Sequence, residues 1–140
     1  MLSAIYQMVG RNYFCMTNTK TKHLQLERET WLRTLDYMQQ ENIYFKTNLA
    51  YIIKNGVDAS MLEQAEHFQS IFINKDTMIA LLRNDISLLA NNQEQGKATK
   101  ENIDRRAAEQ DEIRSGIATI EQEFSKLKIL FAEYMAKALL

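Results

Sequence analysis

Leu24, Trp31, Met38, Phe45 and Ile52 recur at every seventh position without a break, and Leu35, Asn42 and Leu49 fall four residues after Trp31, Met38 and Phe45. Two such files are the a and d positions of a heptad repeat, so this stretch predicts a long amphipathic helix. A helix with a continuous apolar seam has to bury it against other helices. The rest of the chain supplies them. Ala65, Phe72, Ile79 and Ile86 form one file of a second helix, and Met61, Phe68, Lys75, Leu82 and Leu89 form the other. In a third, Ile103, Gln110, Ile117, Phe124 and Phe131 alternate with Ile113, Ile120, Leu127 and Tyr134. The 140 residues contain no proline and only 4 glycines, so the main helix breaker is missing throughout.

Local signals set the boundaries. The first long helix is expected over residues 22–54, ending where Asn55-Gly56 tolerates the left-handed backbone that commonly closes helices. The second starts at Asp58 or Ser60, with Ser60 and Glu63 at capping-box spacing, and runs to the polar stretch from Asn91 to Gly96. The third begins at about Thr99. Connections this short force consecutive helices to lie antiparallel, so the expected fold is all-α, an antiparallel bundle of three long helices. Folding the first two helices about the turn at Asn55 to Val57 sets Phe45 beside Phe68, Trp31 beside Leu82 and Leu24 beside Leu89. The same register places Lys75 near Met38, with Asn42 one turn away.

The N-terminal region divides from this bundle, giving residues 1–21 as a short helix and linker and residues 22–140 as the helical domain. Leu2, Ile5, Tyr6 and Val9 share one helical face, which favours a short fourth helix docking on the bundle. A secretory signal is disfavoured because Arg11 lies in the middle of the apolar stretch and Tyr13, Phe14 and Cys15 follow it. A start at Met16 behind an upstream extension is the remaining alternative. Thr17 to Lys22 reads as the polar linker, with Thr19 or Thr21 available as a cap.

Charge and cysteine usage narrow the partners. A formal net charge of −1 provides no field for nucleic acid or an anionic membrane. Arg105 and Arg106 sit among Glu101, Asp104, Glu109 and Asp111 on a mixed-charge face, so no nucleic-acid contact is expected. The single cysteine, Cys15, cannot form an intrachain disulfide and fits a reducing, cytoplasmic setting.

No catalytic residue, cofactor or metal site is expected. Phosphate-binding glycine loops, Cys-x-x-Cys pairs and exposed-nucleophile turns are all missing from the sequence. Di-iron bundles need Glu-x-x-His on two helices, but Lys20 and Gln64 stand three residues before His23 and His67. Glu63 with His67, and His23 with Glu27, have the i, i+4 spacing of at most a weak zinc site, which keeps a metal-binding bundle as a lesser alternative. Cys15 has no electropositive surroundings to activate its thiol. Asn42, Lys75, Gln110 and Arg28 on the seams are read as register-fixing residues, with Asp76 offering Lys75 a partner.

A second apolar stripe departs from a plain bundle. Tyr37, Tyr44 and Tyr51 recur every seventh residue away from the first seam, with Ile43 adjacent, and the second helix adds Ile71, Ile73, Leu81 and Leu88 outside its own seam. Tyrosine suits a subunit interface because it buries a large ring and keeps a hydroxyl for the wet rim. Tyr37, Tyr44, Tyr51, Ile43, Ile73, Leu81 and Leu88 are therefore the expected interface, and the expected function is a non-enzymatic structural or protein-interaction bundle that self-associates as a homodimer. The alternative is a small chaperone or regulator that holds a client helix in an apolar groove. The segment from Glu66-His67-Phe68-Gln69 through Lys75, preceded by the aromatic helix from Trp31 to Phe45, resembles small uncharacterised helical proteins of bacteria. That resemblance covers about half the chain, leaves out residues 1–16, and implies a bacterial cytoplasmic setting without an activity.

Overall fold

The computed structural model describes the backbone of residues 2–95 and 99–140 and the side chains of residues 22–92 and 99–140. Three helices account for it: α1 (Leu2–Lys54), α2 (Ala59–Gln95) and α3 (Lys100–Ala138), with no strand among the described residues. The backbone of α1 runs as one helix through residues 17–22, in place of the expected linker, and the expected docking of the N-terminal segment concerns side chains of residues 1–21, outside those described. Two compact units divide the chain, Met1–Thr34 and Leu35–Leu140. In the first, Trp31 is buried and Leu24 half-buried, and the Thr30 hydroxyl donates to the Leu26 carbonyl at 2.8 Å.

In the second unit, residues 35–54 of α1 pack with α2 and α3. Gly56 closes α1 with φ at 86°, the left-handed conformation that glycine adopts without a Cβ penalty. Asp58 begins α2, its carboxylate accepting from the Met61 amide at 2.8 Å, and Thr99 begins α3 by accepting from the Asn102 amide at 3.3 Å. Ser60, the other candidate, lies inside α2.

The seams are the core. Leu35, Met38, Phe45, Leu49, Ile52, Ala65, Phe72, Ile79, Ile86 and Leu89 are buried, and so is every α3 seam residue except Ile103. Ile103 is 53% exposed because it stands in the first turn of α3, before the layers that Gln110 and Ile113 begin. Near the Asn55–Asp58 turn the core becomes aromatic. Phe72 meets Phe131 edge-to-face with ring centres 5.0 Å apart, and Phe131 also contacts Phe45 at 5.3 Å and Phe68 at 5.2 Å. Each such ring contributes roughly 1.5–3 kcal/mol by leaving water, before any gain from ring geometry.

The register of α1 on α2 differs from expectation by about one turn. Phe45 meets Phe72 at 5.6 Å, and Phe68, its expected partner, packs on Phe131 and Tyr134. Counting outward from the turn pairs Cα positions, but side chains lean toward the N-terminus of their own helix. In an antiparallel pair those leans point opposite ways, away from the turn on α1 and toward it on α2. The two displacements add, so an α1 side chain meets one several residues further along α2.

Candidate functional site

Among the described residues three polar side chains are buried, Asn42, Lys75 and Gln110, and the first two bring charged partners into one layer. Asn42, with no exposed surface, donates to the Phe72 carbonyl at 2.8 Å and to the Asp76 carboxylate at 2.6 Å. The second oxygen of Asp76 accepts from Lys46. Asp76 is thus the partner of Asn42 and Lys46, and the expected pairing of Asp76 with Lys75 gives way to another. Consecutive residues on a helix point about 100° apart, so Asp76 faces α1 while Lys75 faces α3. There Lys75, 7% exposed, ion-pairs with Glu123 and lies 3.9 Å from the Met78 sulfur. Each charge in this layer has its opposite within reach, an arrangement that fixes which helix faces lie together.

At the aromatic end, Tyr134 donates its hydroxyl to the Met61 carbonyl at 2.9 Å. Burial, with the charge of Asp58 second, raises its pKa above the ordinary tyrosine value. His23, Glu63 and His67 are all exposed, and no three metal-ligating side chains cluster among the described residues. Cys15 falls outside the described side chains.

The seven apolar residues singled out as an interface are all at the surface, between 46% and 62% exposed. They do not form one patch. Tyr37 lies on the α3 side of α1, where its hydroxyl accepts from Lys128 at 2.7 Å and the same ammonium stands 4.6 Å from its ring centre. Tyr44 and Tyr51 continue that stripe at heptad spacing. Ile43 instead borders the α1/α2 groove with Gln39, Lys46, Asp76 and Arg83. Ile73 borders an adjoining groove of about 400 Å3 with Leu49, Ala50, Ile53 and Gln69. Leu88 belongs to a third groove between α2 and α3, bordered by Leu82, Asp85, Glu109 and Ile113.

One property of this surface was not drawn from the sequence. Between Tyr37 and Ile53 the only charged residues of α1 are Glu41 and Lys46, and both turn to neighbouring helices, Glu41 to Lys128 at 3.8 Å and Lys46 to Asp76. The outward positions are Tyr37, Gln39, Gln40, Ile43, Tyr44, Thr47, Ala50, Tyr51 and Ile53, every one exposed and none charged. The signal was available in the spacing of Glu41 and Lys46, which fall three and four residues from seam positions. Ile129 and Leu130 are also exposed, on α3.

No described helix is long and apolar enough to cross a membrane. No protein-family model, curated protein or solved structure matches the chain.

Proposed function

We propose that the protein is a non-enzymatic interaction bundle that works by associating with itself, its core supplying rigidity and its exposed apolar surface the contact. The observation that carries this reading is the uncharged outward face of α1, on which Tyr37, Tyr44 and Tyr51 are each more than half exposed. Loss of charge together with gain of tyrosine is the composition of an interface centre, whereas a solvated helix face ordinarily carries Lys and Glu. The expected setting is the bacterial cytoplasm, on the single cysteine and the resemblance given above.

Sedimentation equilibrium of the full chain tests it. A species of twice 16.4 kDa is expected to grow with concentration. A monomer at all concentrations would exclude self-association. The groove bordered by Ala50, Ile53, Gln69 and Ile73 favours one second reading, capture of a client helix by the monomer.

A further inference from the structure

Resting on that self-association, we infer that two copies meet through α1 in antiparallel orientation, about a twofold axis beside Tyr44. Tyr44 faces Tyr44 of the second copy, and Tyr37 of each faces Tyr51 of the other. Three observations lead there.

The first is that the face complements itself. Having no charge from Tyr37 to Ile53, it offers nothing for a charged partner to read, yet a second copy meets it without like-charge contact anywhere along the stretch. The second is the charge at its ends. Asp36, which stays exposed although one carboxylate oxygen accepts from Arg83, stands before the face, and exposed Lys54 stands after it. Antiparallel pairing centred near Tyr44 brings Asp36 to Lys54 of the other copy at both ends. Parallel pairing would set Asp36 on Asp36 and Lys54 on Lys54, so charge selects the antiparallel arrangement.

The third is the position of the tyrosines around the helix. An antiparallel twofold brings like sides of the two helices together. Tyr37, Tyr44 and Tyr51 follow one side of α1, drifting about 20° per heptad, so each tyrosine lands on another. Lys128 already holds Tyr37 in place through its hydroxyl and ring, which lowers the ordering cost of association. The face is about 25 Å long and one helix wide, short of the ~800 Å2 per partner of a standard complex, so the association is expected to depend on concentration.

Oxidative cross-linking of the full chain with Cys15 replaced by serine tests the geometry. Tyr44→Cys should cross-link to itself, and Tyr37→Cys mixed with Tyr51→Cys should give the mixed dimer in preference to either homodimer. Tyr44→Glu, at an exposed position, should keep the helical circular-dichroism spectrum and weaken association at least about tenfold by placing two carboxylates at the axis. Lys54→Glu should weaken association at low salt and much less at high salt. A chain that is dimeric by sedimentation but cross-links at Tyr37→Cys alone, or is indifferent to Tyr44→Glu, overturns this arrangement and leaves self-association standing. A monomeric chain overturns both.

Discussion

Asn42 and Asp76 share a hydrogen bond of 2.6 Å across the α1/α2 interface, and Asn42 has no exposed surface. Replacing the amide by a carboxylate in Asn42→Asp would set two carboxylates against each other, with only Lys46 to offset them. One of the pair then holds its proton in the folded state to a pH well above the ~3.9 of the unfolded chain. A folded pKa raised in this way gives stability that is present below about pH 4 and lost as pH rises through the folded value. Urea denaturation should find the variant destabilised by roughly 3–5 kcal/mol at pH 7 and far less at pH 4. An equal loss at both would place the two side chains out of contact.

Lys75 and Glu123 pair across α2 and α3 with unequal burial, their side chains 9% and 45% exposed. Removing the carboxylate in Glu123→Ala strands a buried ammonium, at a cost of about 1–2 kcal/mol because water still reaches this pair from one side. Lys75→Met keeps the packing volume without a charge to satisfy, and should be neutral within about 1 kcal/mol or stabilising. In the Lys75→Met background, Glu123→Ala should cost almost nothing. A double-mutant cycle by chemical denaturation gives the coupling directly, and additive effects would mean that the ion pair contributes nothing.

The burial of Trp31, Leu35, Phe45 and Phe72 was legible in the sequence because heptad spacing is a property of one helix at a time. Which charge meets which was not. Lys75 and Asp76 are neighbours in sequence yet face different helices, and Glu123 lies 48 positions from Lys75, a pairing that appears only once α3 has a side and a register. The same lack divided the expected interface. Ile43 and Tyr44 are adjacent in the chain, but Ile43 borders the α1/α2 groove while Tyr44 follows Tyr37 at heptad spacing, and telling them apart requires knowing on which flank of α1 the second and third helices sit. The one-turn shift of Phe45 onto Phe72 came from side-chain lean, which counting Cα positions from a turn leaves out.

Tyr134 links the C-terminal part of α3 to the first turn of α2 through the Met61 carbonyl, and burial raises its pKa. The folded state therefore keeps a proton that the unfolded chain releases near pH 10. Its contribution to stability is fully present below that pH and is lost as pH rises through the higher folded value. Tyr134→Phe should be about 1 kcal/mol less stable at neutral pH through the lost hydrogen bond. It should also lose less stability than the parent between neutral pH and pH above 10, because no hydroxyl is left to ionise. Thermal melts of both proteins across that range decide it, and parallel curves would exclude a special environment for Tyr134.

Gly116 sits inside α3 where a Cβ would come within 3.0 Å of a Leu82 methyl. Alanine in a helix interior is worth about 1 kcal/mol over glycine, so the sign of Gly116→Ala depends on whether Leu82 can give way. Leu82 is half-buried and borders the open α2/α3 groove with Asp85, Leu88 and Glu109, so its terminal methyl has room to turn aside. Gly116→Ala should then stabilise by about 0.5 kcal/mol, after a small rotamer cost to Leu82 is taken from the helix gain. Gly116→Val adds two methyls at the same approach and should destabilise by roughly 1–3 kcal/mol through overpacking. Paired thermal melts give the answer. If alanine lowers the melting temperature, α2 and α3 are held at that layer too rigidly for Leu82 to move, and the close approach at Gly116 is a fixed requirement of the bundle.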